Sequence, residues 1–304
     1  MRKATRTLIC VLAALALAPA AHAADPHTGF EIRNGSSWTT LSEELTFIKA
    51  LEGPRVVRLV VGTSAQGRAI RLIIVGPSKT TEQIAAENTA LIVCGQHGDE
   101  PAGREACLTR IRGHARTTPL SAETLLIMPT ANPDGRAANK RNNGQSPSRD
   151  INRDYGCPVP AGTCVPFQTP EARAVRDVIA AYDPEVVLDL HEYSTLDARA
   201  MLFNRRSEYR QGTPAVQALS DQVNLAAEQR VLQSTTASGT PFTTGIYEQE
   251  ANSYDRGLRD YAMATGRAFV LFESPRLGRL SSLSRVKAHR VGLDGALSAP
   301  RALP

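Results

Sequence analysis

Short apolar runs alternate along the chain with segments whose apolar residues recur at helical spacing. Seven runs predict strands, at 56–61, 69–75, 90–94, 124–129, 185–191, 200–203 and 268–273. The helical segments lie near 40–51, 100–113, 170–182, 215–234 and 280–297. Such alternation is typical of an α/β fold, so we predict a single domain with a mixed, mostly parallel, twisted sheet and helices on both faces.

One long stretch, residues 132–169, breaks this rhythm. It is rich in Gly, Pro, Asn and Arg and shows no convincing periodicity. A loop of this length in a compact domain is usually functional. His97, His191 and Glu273 each fall at the carboxyl end of a predicted strand, where open α/β sheets place their ligand sites. We therefore expect the functional site at that edge of the sheet.

The first 23 residues have the layout of a secretory signal. Basic residues precede the apolar stretch LICVLAALALA, and Ala21-His22-Ala23 forms an A-x-A cleavage site. No other stretch is long and uncharged enough to cross a bilayer. Removing residues 1–23 lowers the formal net charge of +5 by three, to +2, which gives no reason to propose nucleic acid. We expect residues 24–304 to form an exported catalytic domain, periplasmic or secreted, with no membrane insertion after cleavage.

The cysteines suggest one disulfide. Cys157 and Cys164 bound the short loop CPVPAGTC, and an oxidising compartment favours a bridge between them. Cys94 ends a predicted strand and Cys107 lies in a predicted helix. We interpret these two as buried thiols, with a second bridge as the alternative.

The stretch QHGDEPAG, 96–103, follows the predicted strand 90–94 and begins a predicted helix. By itself, the pair His97 and Glu100 favours a capped surface turn over a metal site. His191 follows another apolar run and supplies a third ligand. Two His and one Glu are a recognised set for a single catalytic zinc ion with an open fourth position.

Three carboxylates accompany this set. Asp150 and Asp189 are candidates to hold the second ring nitrogens of the histidines, or else they cap or solvate loops. Glu273 ends an apolar strand, where a carboxylate is costly to desolvate unless it has a partner or a task. A general base is therefore one interpretation of Glu273, and a strand-end residue that reaches solvent is the other.

Several motifs resemble zinc carboxypeptidases of the carboxypeptidase A family, in the order seen there. The match runs from about Thr39 to Glu273 and comprises GTSAQGRAIRLIIVG (62–76), H-x-x-E at 97–100, NPDG (132–135), the Arg141 segment, DINR (150–153), TPEARAVRDVI (169–179), DLHEYS (189–194), TTGIYEQEANSYD (243–255) and FE (272–273). The resemblance implies a carboxypeptidase-like fold, zinc on His97, Glu100 and His191, Glu273 as the general base, and Asp150 as the residue that orients His97.

The resemblance also assigns residues that bind substrate. Arg141 would polarise the scissile carbonyl, Asn152 and Arg153 would hold the terminal carboxylate, and Tyr247 would close over the substrate. Tyr254 would fall in the side-chain pocket, which suggests neither a strictly basic nor a small terminal residue. Considered alone, the arginines are ordinary loop charges and Tyr247 is a packing residue.

The implied activity is hydrolysis of a C-terminal amide bond next to a free carboxylate. We expect the enzyme to be a monomer. Asp99 departs from carboxypeptidase A, which has an arginine there, and QHGDEPAG looks more like bacterial members that include murein-peptide amidases and amino-acid deacylases. The substrate is therefore a peptide or a peptidoglycan-derived peptide, with an N-acyl amino acid as a further alternative. A non-catalytic zinc-binding or peptide-binding module on the same fold would lack a ligand, the base or the anion-binding residues.

Overall fold

The computed structural model describes residues 26–51, 55–77, 80–116, 124–157, 165–194, 198–204, 209–247, 256–278 and 280–300. Within these residues one sheet contains the strands β1 (Val56–Thr63), β2 (Ala69–Val75), β3 (Ala90–Cys94), β4 (Leu125–Met128), β5 (Val186–Tyr193), β6 (Met201–Phe203), β7 (Thr244–Ile246) and β8 (Ala268–Pro275). The helices are α1 (Gly29–Ile32), α2 (Leu41–Ala50), α3 (Thr81–Ala85), α4 (Pro101–Arg116), α5 (Pro133–Ala138), α6 (Pro170–Tyr182), α7 (Pro214–Leu232), α8 (Leu258–Ala264) and α9 (Ser282–Ser298), with a 3-10 helix at Ile151–Arg153.

The strand order in the sheet is β1-β2-β4-β3-β5-β8-β6-β7. Four of the seven neighbouring pairs are parallel, including β3 with β5 and β5 with β8. The three central strands β3, β5 and β8 are buried along their whole length. Continuous burial is the expected state of parallel strands that are covered on both faces. The predicted mixed, mostly parallel sheet is confirmed.

Two hydrophobic layers enclose the sheet because successive strand residues point to opposite faces. Ile92 of β3 packs in one cluster with residues of α2, α4, α7 and α9. Its neighbour Leu91 packs in the other cluster, with residues of α3, α6 and α8. The predicted placement of helices on both faces is therefore correct.

Parallel pairing sets the position of the functional residues. His191 of β5 lies opposite Glu273 of β8 in the strand register. β3 runs parallel on the other side of β5 and ends at Cys94, three residues before His97. All three side chains therefore lie at the same edge of the sheet, as their sequence positions predicted.

Short elements inside the long loop and elsewhere were not predicted. The stretch 132–169 contains α5 and the 3-10 helix. α5 forms because Asn132 caps it by accepting a hydrogen bond from Gly135 N (2.8 Å) and because Pro133 suits the first helical position. Four other elements are likewise too short to show a recognisable periodicity, namely α1, α3, α8 and β7.

The cysteine interpretation needs one correction. Cys94 and Cys107 form a disulfide, with their Cα atoms 6.8 Å apart, so the interpretation of two free thiols is wrong and the alternative of a second bridge holds. The strand β3 and the helix α4 that follows it bring the two residues together, which sequence spacing alone does not reveal. Cys164 lies outside the described residues, so its pairing with Cys157 stays a prediction.

Replacing both Cys94 and Cys107 with alanine is expected to lower the free energy of unfolding by about 3 kcal/mol, the value typical of a bridge that closes a loop of about 15 residues. The bridge spans a sequence separation of 13 that includes His97 and Glu100. Urea unfolding of the zinc-free proteins, wild type against the double variant, measures the change. Equal midpoints and slopes would show that the bridge does not stabilise this segment.

No helix in the described part of the chain is long and apolar enough to cross a membrane. Residues 1–23 lie outside the described residues, so the secretory signal stays a prediction.

Candidate active site

Three buried side chains converge at the carboxyl edge of the central strands. His97 Nδ1 lies 2.7 Å from Glu100 Oε1, and His191 Nδ1 lies 2.8 Å from Glu100 Oε2. The two Nδ1 atoms are 3.0 Å apart. No other group of His, Cys, Asp and Glu side chains with this potential to hold a metal occurs among the described residues. The predicted ligands are therefore brought together.

The outer ring nitrogens of both histidines face carboxylates. His97 Nε2 lies 3.0 Å from Asp150 Oδ1, and His191 Nε2 lies 3.1 Å from Asp189 Oδ2. A carboxylate accepts a hydrogen bond from an Nε2–H, so this arrangement places the proton there and leaves the Nδ1 lone pair facing inward. Asp150 and Asp189 thus lie where the sequence predicted their role.

The electrostatics of this cluster favour positive charge at its centre. Burial raises the pKa of Glu100, but the two imidazoles outweigh it and hold the pKa below its usual value. Burial lowers the pKa of His191, but Asp189 and Glu100 outweigh it and raise the pKa well above its usual value. Two inward lone pairs and a carboxylate that share one point repel each other unless a cation lies between them. The donor set therefore fits a zinc ion.

Arg141 lies beside this cluster. Its Nη1 donates to Glu100 Oε1 (3.2 Å) and its Nε donates to Asp150 Oδ2 (3.0 Å). The side chain is 44% exposed, so it borders the open side of the cluster. Burial lowers the pKa of Arg141, but Asp150 and Glu100 outweigh it and raise the pKa. Arg141 can therefore present a permanent positive charge to a bound molecule.

Glu273 is a buried carboxylate on the next strand. Its Oε2 is buried and has no hydrogen-bond partner within the described ranges. Burial raises the pKa of Glu273 to about 8, with His191 and Arg141 opposing that rise. A bound dication would lower this raised pKa, because positive charge favours the carboxylate. A buried carboxylate whose Oε2 has no hydrogen-bond partner among the described residues can accept a proton from water.

A pocket connects these groups with the predicted substrate-binding residues. Asn152, Arg153 and Tyr247 line it together with Arg141 and Glu273. The Asn152 amide also contacts neighbouring elements, because Nδ2 lies 3.2 Å from His191 Nε2 and Oδ1 accepts from Leu258 N (2.8 Å). Tyr254 lies outside the described residues, so its place in the side-chain pocket stays a prediction.

Gln96 contacts the site, and the sequence interpretation missed it. Its Nε2 lies 2.8 Å from both oxygens of Asp189, and its Oε1 accepts from the Tyr155 hydroxyl (2.9 Å). Gln96 is 1% exposed. It therefore holds Asp189, which in turn faces His191. The available signal was a polar residue directly between a fully apolar strand and His97.

Replacing Gln96 with leucine is expected to lower zinc affinity by about 10-fold, the lower end for loss of an outer partner of a metal ligand. The reason is that Asp189 loses the amide that orients it against His191. Competition with a chromophoric chelator measures zinc affinity directly. The control is Gln83→Leu, because Gln83 caps the distant helix α3. An equal loss of zinc affinity in both variants would contradict the role of Gln96 in holding Asp189.

Glu192, the residue after His191, was also missed. Its Oε2 accepts from Ala102 N (2.8 Å) and its Oε1 accepts from Arg285 Nη1 (2.6 Å). Glu192 thereby joins β5 to the first turn of α4, directly after Glu100, and to α9. Burial raises its pKa to about 6, with Arg285 opposing that rise.

The fold and the site together define a zinc-dependent hydrolase: two imidazoles, one carboxylate ligand and a nearby buried carboxylate at the carboxyl edge of an α/β sheet. The sequence profile of the zinc carboxypeptidase family, peptidase M14, matches residues 45–273. The chain belongs to this family and is a zinc metallopeptidase.

Solved structures of carboxypeptidases share the fold. Carboxypeptidase A from Helicoverpa armigera is 19% identical, with a TM-score of 0.66 and coverage of 88% of this chain and 75% of that one. A metallo-carboxypeptidase from Burkholderia cenocepacia is 18% identical, with a TM-score of 0.63 and coverage of 84% and 69%. A metallo-carboxypeptidase from Pseudomonas aeruginosa is 18% identical, with a TM-score of 0.60 and coverage of 84% and 67%. No curated protein sequence matches the chain significantly.

Proposed function

We propose that the enzyme is a metallocarboxypeptidase that hydrolyses the last amide bond of a peptide with a free C-terminal carboxylate. The observation that carries the proposal is that Glu273 and Arg153 line the same pocket. Glu273 is the proposed base, and Arg153 offers a guanidinium that can bind a carboxylate. A guanidinium binds a carboxylate with two parallel hydrogen bonds, which fixes the end of the peptide. The amide bond next to it then lies beside Glu273.

Each side chain has a defined task in this proposal. Zinc, when bound by His97, Glu100 and His191, supplies a Lewis acid that polarises a carbonyl and acidifies water. Glu273 accepts a proton from the attacking water and passes it to the leaving amine. Arg141 donates to the carbonyl oxygen as negative charge develops there.

The remaining tasks concern substrate position. Arg153 and Asn152 bind the terminal carboxylate, and Tyr247 covers the bound residue and excludes water. A wider groove that shares Tyr247 with this pocket accommodates the rest of the peptide, and its lining includes Tyr193, Arg199 and Ile246.

Release of single C-terminal residues tests the proposal. The zinc-loaded enzyme is incubated with a peptide library, and products are identified by mass spectrometry with and without a chelator. Peptides that end in a carboxamide are expected to have kcat/KM values roughly 10- to 100-fold lower, since a hydrogen bond to a charged group contributes about 1.5–3 kcal/mol. Equal cleavage of peptides that end in a carboxylate and peptides that end in a carboxamide would reject the proposal. Cleavage of muropeptides alone would show that the enzyme is a peptidoglycan amidase instead.

We further propose that the enzyme is exported after cleavage at Ala23, on the basis of the basic and apolar layout of residues 1–23. N-terminal sequencing of the protein from its native cells would begin at Ala24. A chain that retains Met1 would contradict export by this route.

A further inference from the structure

A buried glutamate of α6 is hydrogen-bonded to the loop that carries Arg141 and Asp150. Glu171 lies in the first turn of the helix, and its Oε2 accepts from Asn143 Nδ2 (3.0 Å). Both side chains are buried, with exposed fractions of 0% for Glu171 and 4% for Asn143. Neither is among the described residues that line the active-site pocket or the wider groove. Glutamate is rarely buried to this extent unless it is paired, so the bond is a firm attachment between helix and loop.

Asn143 also closes the loop 143–149 at its neck. Its backbone N donates to Arg149 O (2.9 Å), and its side-chain Oδ1 accepts from Arg149 N (3.0 Å) and Gln145 N (3.3 Å). Arg141 lies two residues before this neck, and Asp150 lies directly after it. The neck therefore sets the distance between the two backbones from which Arg141 and Asp150 project.

The two sides of the neck meet at the metal cluster. On one side, Arg141 O accepts from the side chain of Asn132, the residue that caps α5 (3.3 Å). On the other side, Asp150 Oδ1 lies 3.0 Å from His97 Nε2, and Asp150 Oδ2 accepts from Arg141 Nε (3.0 Å). A shift of the neck away from α6 moves Asp150 relative to both of these partners.

Arg153 is anchored separately at the same end of α6. The next residue, Asp154, accepts from Thr169 N (2.6 Å) and from Thr169 Oγ1 (2.7 Å), and Thr169 is the N-cap of the helix. Loss of the Glu171 side chain leaves these bonds in place. The start of α6 is thus a frame with two attachment points, one for Arg153 and one for the segment that carries Asp150.

The hydrophobic core fixes α6 itself. Its buried residues Ala172, Val175 and Ile179 recur at spacings of three and four, and they pack in the same cluster as Leu91 of β3. A side chain in the first turn of α6 therefore has a defined position relative to the strands that carry the metal ligands.

We infer that Glu171 and Asn143 are positioning residues of the active site, which hold Asp150, and through it Arg141, in the geometry that zinc binding and turnover require. The part that concerns turnover rests on the proposed carboxypeptidase function, whereas the part that concerns zinc affinity does not. A displacement of about 1 Å by a change far from the chemistry can lower turnover by roughly 100-fold. Residues that contact neither zinc nor substrate therefore control both.

Replacing Glu171 with leucine tests the inference. In the zinc-loaded enzyme, kcat for release of the C-terminal residue is expected to fall by roughly 10- to 100-fold. KM is expected to change little, because Arg153 keeps its own anchor. Zinc affinity, measured by chelator competition, is expected to fall by about 10-fold, as for loss of an outer partner of a metal ligand. Wild-type kcat and wild-type zinc affinity in Glu171→Leu would overturn the inference.

Two further variants examine the same hydrogen bond. Glu171→Gln keeps an oxygen that accepts from Asn143 Nδ2, so its kcat and zinc affinity are expected to stay near those of wild type. Asn143→Ala removes the bond from the loop side and leaves the packing of α6 intact, so it is expected to show the losses of Glu171→Leu. Wild-type kcat and zinc affinity in Asn143→Ala would overturn the inference even if Glu171→Leu failed to fold.

A double-mutant cycle separates positioning from a general structural effect. Arg141→Ala is expected to lower kcat by roughly 10²- to 10³-fold, the range for loss of a donor to a developing oxyanion. If Glu171 acts through Arg141, Glu171→Leu has no further effect on kcat in the Arg141→Ala background. The same factor lost in both backgrounds would overturn the positioning role.

Glu82 provides a matched control. It lies in the first turn of α3, as Glu171 does in α6, but it is exposed and lies outside the active-site pocket. Glu82→Leu is expected to keep the wild-type kcat and zinc affinity. An equal fall in Glu82→Leu and Glu171→Leu would overturn the role of Glu171.

The two measurements also separate this inference from the proposed function. If Glu171→Leu loses zinc affinity and no protein releases a C-terminal residue, the carboxypeptidase function is wrong and the positioning role remains. If wild type and Glu171→Leu release C-terminal residues equally fast and bind zinc equally well, the function remains and the inference is wrong.

Discussion

Replacing Glu273 with glutamine is expected to lower kcat/KM by roughly 10²- to 10⁴-fold, the range for loss of a general base. Glutamine has nearly the same shape, but its carboxamide cannot accept a proton from water. Zinc content is expected to remain one ion per chain, because Glu273 is not among the three side chains that converge on the metal position.

The structure explains why this substitution separates catalysis from metal binding. Glu273 lies opposite His191 in the register of two central strands, which places it beside the cluster without joining it. Its buried Oε2 has no hydrogen-bond partner in the described part of the chain, so no structural bond is lost there. We therefore expect the free energy of unfolding to change little compared with the loss of turnover.

A glutamate at the other end of β5 supplies the control. Glu185 lies directly before the strand, at the edge of the sheet away from the zinc cluster. Glu185→Gln is expected to retain both zinc and turnover when assayed by release of the C-terminal residue. If Glu273→Gln turns over as fast as Glu185→Gln, Glu273 is not the base and the proposed mechanism is wrong.

The central strands and the ligand positions were predictable for a common physical reason. A strand that is buried on both faces is mostly apolar, as β3 is, as β5 is before His191 apart from Asp189, and as β8 is before Glu273. A polar residue at the end of such a run is conspicuous, which is how His97, His191 and Glu273 could be recognised. Their meeting point then followed from the parallel direction of the strands.

Other parts of the site have no local signature. Glu192 is buried because the distant helices α4 and α9 contact its side chain. In sequence it looks like an ordinary surface residue. Arg141 is similar, since only the family resemblance distinguished it from neighbouring loop charges. Burial of a polar side chain is a property of the tertiary structure, so these residues could not be assigned from composition or periodicity.

The disulfide illustrates the same limit. Whether Cys94 and Cys107 can pair depends on the distance between their Cα atoms, which are 6.8 Å apart in the folded chain. That distance is set by how α4 packs against β3 after the turn that contains His97. The apolar character of both positions favoured buried thiols, but it carries no information about the distance between them.

Replacing His97 with alanine is expected to abolish turnover by removing the metal. The Nδ1 atom of His97 lies 3.0 Å from that of His191 and 2.7 Å from Glu100, so its loss opens one side of the centre. Two ligands then remain from the protein. Zinc affinity is expected to fall by more than the roughly 10- to 100-fold that loss of an outer partner causes. Metal analysis after dialysis, with chelator competition for the affinity, measures both effects.

Two further variants test whether His97 binds the metal directly and whether Asp150 holds its outer nitrogen. Asp150→Asn keeps His97 but weakens the acceptor for its Nε2, so its zinc affinity should fall between wild type and His97→Ala. His27 has a side chain that is 61% exposed, and His27→Ala should bind zinc like the wild type. This order follows only if His97 contributes its inner nitrogen to the metal and Asp150 holds the outer one. Equal zinc affinity in His97→Ala and His27→Ala would place the metal elsewhere.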